Sequence, residues 1–251
     1  MLNREHIVAQ LNSSRFVQGL ILGDTVDSTN TKLREMALNG AAEGVTLMVD
    51  RQTAGRGRRG RTFASPEGGL YLSTLLRPTG AVRPGQITCL AAVAAARAIE
   101  SLCDLNIEIK WVNDLYLNRR KVAGILAEGV LSPAGELTAV VLGIGINVAG
   151  TLPEELVPIA TTLEREGATL TREAVAAAFL NQWERVYTAP IEDGMAEYAK
   201  RSLVIGREVT VVQGNDTYPA TALGITQAGH LLVRTPDGER ELTSGEVSVR
   251  L

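Results

Sequence analysis

Cysteine and histidine are scarce: two of each in 251 residues. Cys89 and Cys103 lie within one alanine-rich segment that reads as a buried helix. Neither their number nor their spacing suits a disulfide framework or a zinc site. His6 and His230 lack metal-ligand spacing, and His230, beside a glycine, reads as a turn residue, so no protein-held transition metal is expected. Apolar runs of membrane-spanning length are missing, and Met1-Leu-Asn-Arg-Glu-His6 has neither the charge order nor the apolar core of a signal peptide. That predicts a cytoplasmic protein with no membrane partner. Positive charge is not in surplus either, with 25 Lys and Arg against 28 Asp and Glu, which argues against a polybasic nucleic-acid binder. Internal repeats and low-complexity tracts are not evident.

Against this slightly acidic background, Gly55-Arg-Gly-Arg-Arg-Gly-Arg61 places four guanidinium groups and three glycines in seven residues. Glycine lets backbone amides approach a ligand closely, and arginine presents a fixed fork of donors that matches carboxylate and phosphate oxygens. The segment lies between two strand-like runs, Val45 to Val49 and Gly69 to Leu76, and so forms a long crossing of the kind usually reserved for function or disorder. Charge patterning alone leaves even odds between an anion-holding loop and a plainer reading, a solvated arginine-glycine stretch or a nucleic-acid contact.

The remaining pattern predicts a short helix over Arg4 to Leu11, a strand over Phe16 to Leu22, and a helix capped by Ser28 or Thr29 that stops at Gly40. Pro84 opens a long alanine-rich helix through Cys103. Ile107 to Trp111 alternates as a strand, Asp114 to Leu117 continues it, and Val122 to Val130 returns after a turn at Asn118-Arg119. A further strand is expected over Leu137 to Val148, then helices over Thr171 to Tyr187 and Ile191 to Leu203. The fold class is therefore α+β, a mixed sheet with packed helices. From Gly206 the texture changes to short strands, Val209 to Val212, Tyr218 to Ala222, Leu231 to Arg234 and Val247 to Leu251. Turn signals at Gly214-Asn215, Gly229 and Asp237-Gly238 separate them. That spacing predicts a small all-β barrel, dividing the chain into residues 1–204 and 205–251.

Three more segments carry chemistry. Ser28-Thr29-Asn30 brings two hydroxyls and an amide to a helix start; Lys110-Trp-Val-Asn-Asp114 ends a strand, with Lys121 on the return; Gly143-Ile-Gly-Ile-Asn147 is a glycine-thinned strand. Each alone has a plainer structural explanation, as an N-cap, a turn, a solvated lysine or a bulge.

Taken together, Arg51-Gln-Thr-Ala-Gly-Arg-Gly-Arg-Arg-Gly-Arg61, Ser65-Pro66, Gly69-Leu-Tyr-Leu72, Lys110-Trp-x-Asn-Asp114, Arg120-Lys-Val-Ala-Gly-Ile-Leu-Ala-Glu128 and Gly143-x-Gly-x-Asn147 resemble the motifs of biotin protein ligases. The resemblance covers roughly residues 20–150 strongly and implies a catalytic domain like that of class II aminoacyl-tRNA synthetases, with an SH3-like C-terminal barrel. It also implies that biotin and ATP give biotinyl-5′-AMP and pyrophosphate, after which the biotinyl group passes to one lysine of a biotin carboxyl carrier protein domain. By the same resemblance Lys121, Lys110, Arg58 and Asp114 carry the chemistry, Asp114 by ordering Mg²⁺. Ser28, Thr29, Asn30, Gln52, Gly55, Arg56, Gly57, Arg59, Arg61, Phe63, Gly124 and Asn147 complete the biotin and nucleotide sites. The basic loop is further expected to close over the adenylate and keep water from it.

Two residues depart from the family pattern, Val112 where proline is common and Phe63 where tryptophan often stands; both bear on ATP affinity. The strand end before Val112 is expected to persist. Only about fifteen residues precede the first expected catalytic strand, so no DNA-binding domain and no DNA partner are expected. A sheet edge could pair with the carrier domain or with a second copy of the chain. Competing readings are a lipoate-type ligase and a non-catalytic binder of adenylates or nucleic acid.

Overall fold

A computed structural model describes residues 1–12, 14–78, 84–213, 216–243 and 246–249. Helices α1 (Arg4–Val8) and α2 (Ser14–Val17) precede strand β1 (Leu20–Val26), helix α3 (Thr29–Leu38) and strand β2 (Thr46–Gln52). Strand β3 (Leu70–Leu76), helix α4 (Pro84–Glu100) and strands β4 (Glu108–Lys110), β5 (Asp114–Leu117), β6 (Arg120–Leu131) and β7 (Leu137–Ile146) follow. Two helices, α5 (Arg172–Thr188) and α6 (Ile191–Arg201), close the first part. The β-strands form one seven-stranded sheet in the order β1-β2-β3-β7-β6-β5-β4, parallel only between β1 and β2.

Period-two alternation decides which face each strand residue joins. Met48, Leu70, Leu72, Leu142, Ile144 and Ile146 point to one face and pack under α4 and α5 in the larger core. Leu47, Val49, Tyr71, Val141 and Ala139 point to the other and pack against Leu33 and Ala37 of α3. The alanines of α4 are small enough to let that helix lie close to the sheet and to α5, where Phe179, Leu180 and Trp183 are fully buried. Because α3 covers only part of the second face, a region over β6 and β7 stays open, and the site lies there.

Three local expectations need correction. Phe16 belongs to α2, not to a strand; its ring is buried in the main core, and β1 begins only after Gly19, whose added Cβ would come within 2.9 Å of Val45. Strand pairing begins at Leu20, opposite Thr46. Helix α4 stops at Glu100, leaving Cys103 beyond it with its thiol donating to the Ile99 carbonyl at 3.2 Å. Cys89 remains inside the helix, where burial pushes its thiol up to about 12. Asp114–Leu117 does not prolong β4: a turn at Trp111, Val112 and Asn113 folds it back antiparallel, with Lys110 opposite Asp114. The Trp111–Val112 peptide is cis. The turn at Asn118-Arg119 stands, with φ of 48° and 65° as a tight two-residue hairpin requires.

The second sheet holds β8 (Glu208–Gln213), β9 (Asp216–Ile225), β10 (Leu231–Thr235), β11 (Gly238–Leu242) and β12 (Glu246–Val249) in the order β11-β10-β9-β8-β12. Strand β11, not anticipated from sequence, is an edge strand whose Gly-Glu-Arg-Glu face is exposed, so it carries no hydrophobic alternation to read. The expected turn at Gly214-Asn215 and the final residues Arg250 and Leu251 lie outside the described residues. The buried barrel residues Val209, Val211, Ala220 and Leu231 belong to the same continuous core as the first sheet and its helices. The Trp111 indole donates to the Gly229 carbonyl at 3.0 Å, and the Gln86 amide donates to the Gln227 carbonyl at 3.0 Å. No helix among the described residues is long and apolar enough to cross a membrane.

Candidate active site

Three glycines thin the open face of the sheet. A Cβ on Gly143 would stand 2.1 Å from Asn30 Oδ1, and one on Gly145 would stand 2.4 Å from the Phe63 ring. Gly124 on β6 lies beneath the same ring, with its added Cβ 3.1 Å from Phe63 and 3.2 Å from Lys121. Missing side chains on β6 and β7 therefore let α3 and the basic loop sink toward the sheet, leaving a cavity of about 360 Å³.

Ser28, Thr29, Asn30, Gln52, Arg56, Gly57, Arg58, Arg61, Phe63, Lys110, Asp114, Lys121 and Gly124 all line the cavity, as the sequence pattern anticipates. Of the charged lining residues five are basic (Arg56, Arg58, Arg61, Lys110, Lys121) and one is acidic (Asp114), inside a chain whose net charge is −3. Such a concave surface concentrates anions. Lys121 Nζ sits 2.7 Å from Asp114 Oδ1 and 5.7 Å from the centre of the Phe63 ring. The pair meets ion-pair distance but not hydrogen-bond geometry, since Asp114 Oδ1 has no hydrogen-bonding partner. Asp114 thus holds the ammonium by charge, and an incoming ligand oxygen can take it over. Lys110 lies 5.4 Å from the centre of the Tyr116 ring, whose hydroxyl burial, and then the Asp114 charge, push up to about 12.

The basic loop crosses the cavity and touches both walls. Arg56 pairs with Glu128 at 2.8 Å on β6, and Arg58 donates to Asn113 Oδ1 at 3.3 Å on the β4–β5 turn. Residues Arg58–Gly60 make one 3-10 turn, with Arg59 at φ 56°.

Beneath the loop, buried hydroxyls and amides form a chain. Ser73 Oγ lies 2.6 Å from Asn30 Oδ1 and 2.7 Å from Thr29 Oγ1. Ser73 has one proton for these two acceptors, and Thr29 Oγ1 also stands 3.1 Å from Gln52 Oε1, to which its own hydroxyl can donate. Gln52 Oε1 accepts the Thr29 backbone N–H at 2.8 Å, and Gln52 Nε2 donates to Ser65 Oγ at 2.9 Å. Ser65 in turn donates to the Phe63 carbonyl at 3.0 Å. A rigid polar end of this kind suits a small ligand with both N–H and C=O groups. Ser28 precedes α3 without making a side-chain cap bond.

Three anticipated residues stand away from the cavity. Gly55 lies behind the loop, where a Cβ would meet the Phe63 carbonyl at 2.3 Å; its role is to let the loop cross itself. Arg59 is exposed. Asn147 is buried with its amide donating to the Thr161 carbonyl at 3.1 Å, and it braces the segment that hydrogen-bonds both sides of Lys121. In that segment Lys121 N donates to Ile159 O and Thr161 N to Lys121 O. Sequence reasoning missed Ser73 and Val247, and it quoted Asn113 and Glu128 within motifs without counting them among the site residues. Glu128 had a readable sign, an acidic residue on a strand whose partners are apolar. Val247 had none, because it reaches the cavity from the barrel.

Among the described residues no three His, Cys, Asp or Glu side chains gather to hold a metal. Asp114 is a single carboxylate at the cavity wall, which fits Mg²⁺ only as an ion carried largely by nucleotide phosphates.

Residues 22–147 match the biotin/lipoate A/B protein ligase family, and residues 204–250 match the biotin protein ligase C terminal domain. The bifunctional ligase/repressor BirA of Bacillus subtilis is 35% identical over 242 residues, covering 92% of this chain and 74% of that protein. The biotin–[acetyl-CoA-carboxylase] ligase of Paracoccus denitrificans is 33% identical over 238 residues, covering 88% of this chain and 96% of that protein. Among solved structures, the biotin protein ligase of Aquifex aeolicus in complex with biotin and ATP superposes with a TM-score of 0.79 at 32% identity, over 93% of this chain and 99% of that one. With both parts of the chain matched and all but one residue lining the glycine-floored, cationic cavity drawn from the first of them, the chain belongs to the biotin/lipoate A/B protein ligase family, on its biotin protein ligase side.

Proposed function

We propose that the chain joins biotin to ATP to give biotinyl-5′-AMP and pyrophosphate, and then transfers the biotinyl group to a lysine of a biotin carboxyl carrier domain. The observation that carries this reading is the cavity itself: five cations facing one carboxylate, closed at one end by a neutral hydrogen-bonding network. Biotin has both characters, a neutral ureido ring and an anionic tail.

In the first step a biotin carboxylate oxygen bonds to the α-phosphorus of ATP while the bond to the pyrophosphate oxygen breaks. Like charges oppose the approach, and cations set between them lower the barrier. Lys121, released from Asp114, takes the carboxylate and the forming anhydride oxygen; Lys110 and Arg58 take phosphate oxygens. Asp114 would be the residue that orders a nucleotide-borne Mg²⁺, which would supply charge neutralisation at the pyrophosphate. In the second step the neutral amine of the acceptor lysine bonds to the acyl carbon and AMP leaves. Thr29, Gln52 and Asn30 hold the ureido end, and Phe63, packed over Gly124 and Gly145, supplies an apolar wall for the valerate chain.

The basic loop keeps water from the anhydride, since it is already pinned to both walls through Arg56 and Arg58. The division at residues 204 and 205 is proposed as the boundary between ligase domain and barrel. Strand β1 is the sheet edge proposed for self-pairing; the opposite edge, β4, already bridges Ser202.

The test is direct. Purified chain with ATP and Mg²⁺ is given biotin or lipoate, and pyrophosphate release, bound acyl-adenylate and labelling of a carrier domain are followed. Adenylate from biotin and label on the carrier lysine support the reading. Adenylate from lipoate in place of biotin, or from neither acid, overturns it.

A further inference from the structure

We infer that Glu166 is a positioning residue for Lys121: through residues 159–161 it fixes the strand backbone from which the Lys121 ammonium reaches the cavity. This rests on the ligase reading above, in which Lys121 meets the reacting carboxylate. Lys121 stands where the regular ladder of the sheet gives out on both sides. Strand β7 ends at Ile146, opposite Ala123, so its pairing with β6 stops two residues short of Lys121. On the other side the register of β5 shifts between Leu115 and Tyr116, and Tyr116 is the residue opposite Lys121. Residues 159–161 take the place that β7 vacates. Lys121 N donates to Ile159 O and Thr161 N donates to Lys121 O, each at 2.9 Å, in a parallel bridge centred on Ala160.

One isolated bridge holds a backbone less firmly than a ladder, so side chains must fix this segment. The Asn147 amide donates to the Thr161 carbonyl at 3.1 Å, and the Thr161 hydroxyl donates to Glu166 Oε1 at 2.6 Å. The same carboxylate takes Arg120 Nη2 on Oε1 at 2.5 Å and Asn118 Nδ2 on Oε2 at 2.6 Å. Glu166 thus ties together the substitute strand, the residue before Lys121 and the turn of the β5–β6 hairpin. Its side chain is 6% exposed and lies outside the cavity lining, so it acts on the site only through these partners. Bonds to an ionised carboxylate are the strong kind, and removing it leaves the wholly buried Thr161 hydroxyl without its acceptor. The Lys121 stem passes close over Gly124, where an added Cβ would stand 3.2 Å from both Cε and Nζ, and it ends 2.7 Å from Asp114. That confined path carries a backbone shift at Lys121 to its ammonium. A displacement of about 1 Å at a reacting group can cost on the order of a hundred-fold in rate.

The test is a double-mutant cycle on single-turnover formation of biotinyl-adenylate, at saturating biotin and ATP and below the Tm of every variant. Glu166→Ala should slow the reaction roughly ten-fold or more. In a Lys121→Ala background the same change should slow the residual reaction by less than about two-fold, because no ammonium is left to misplace. A residue that served stability alone would cost the same factor in both backgrounds. Thr161→Val removes only the hydroxyl bond to Glu166 and should give the same non-additive pattern; it carries the test if Glu166→Ala does not fold. Wild-type rates in the folded variants, equal losses in both backgrounds, or a Lys121→Ala protein as fast as wild type overturns the inference. Wild-type protein that forms no biotinyl-adenylate would instead overturn the ligase reading.

Discussion

The glycine floor makes a sharp prediction at Gly143. In Gly143→Ala the new methyl group would stand 2.1 Å from Asn30 Oδ1, 2.9 Å from Cγ and 3.2 Å from Nδ2. Ordinary carbon–oxygen contact needs more than a further ångström, and Asn30 is 5% exposed with nowhere to retreat. Its amide must leave three hydrogen bonds, to Ser73, Glu128 and the Leu126 carbonyl. At about 0.5–1.5 kcal/mol net for each bond, the loss is roughly 2–4 kcal/mol. For a chain of this size that lowers Tm by on the order of 10 °C. Differential scanning calorimetry and biotin titration should therefore both respond, biotin affinity falling at least ten-fold. Gly224→Ala is the matched control, since its methyl group meets nothing within 4 Å. A Gly143→Ala protein with wild-type Tm and biotin affinity would refute the account of how α3 seats on the sheet.

Three further outcomes follow. Lys121→Ala should depress biotinyl-adenylate formation by at least about a hundred-fold with Tm nearly unchanged, read as pyrophosphate release. Arg58→Ala removes the bond from the loop to Asn113 and should shorten retention of labelled adenylate on the enzyme in a filtration assay more than it slows its formation. Glu166 is 6% exposed; burial alone would raise its pKa, but hydrogen bonds from Thr161 and Asn118 and the Arg120 charge outweigh that and hold it below the ordinary carboxylate value. Its contribution to stability is therefore complete above the unfolded-state pKa and is lost as pH falls through the lower folded value. Glu166→Gln should be destabilised at neutral pH, with the gap to wild type closing below about pH 4 in denaturant titrations.

Much of this architecture was legible because strong local signals coincide with tertiary demands. Thr171 caps α5 and accepts from the Ala174 N–H, Gly40 ends α3 with φ of 85°, and Asn118-Arg119 turns the β5–β6 hairpin as its residues suggest. Misreadings arose where a tertiary contact outweighs local pattern. Phe16 looks like strand because its neighbours are apolar, yet its ring is wanted in the core below α5, and a helical turn delivers it there. Asp114–Leu117 looks like a continuation of β4 because both runs alternate, and alternation does not reveal a reversal between them. The cavity residues were legible as types at fixed spacing, while the partners that orient them were not. Ser73 sits beside Thr74 in a mostly apolar strand, and nothing local says that it completes a chain of hydroxyls 43 residues from Asn30.

The same contrast explains how the site divides its work. The groups proposed to meet anions sit on the loop and on the β4–β5 and β5–β6 hairpins, with Arg56, Lys110 and Lys121 partly exposed and engaged in ion pairs or ring contacts that a ligand can replace. The groups proposed to meet the neutral ureido ring sit on α3, β2 and β3, buried apart from the half-buried Gln52 and tied to one another. Charge screened by water is adjustable, whereas a buried hydrogen-bond chain is costly to rearrange. On the proposed function, selectivity for biotin therefore belongs to the rigid half and adenylation to the adjustable half. Arg56 and Glu128 join the two, so occupancy of the ureido end bears directly on where the loop arginines stand when ATP arrives.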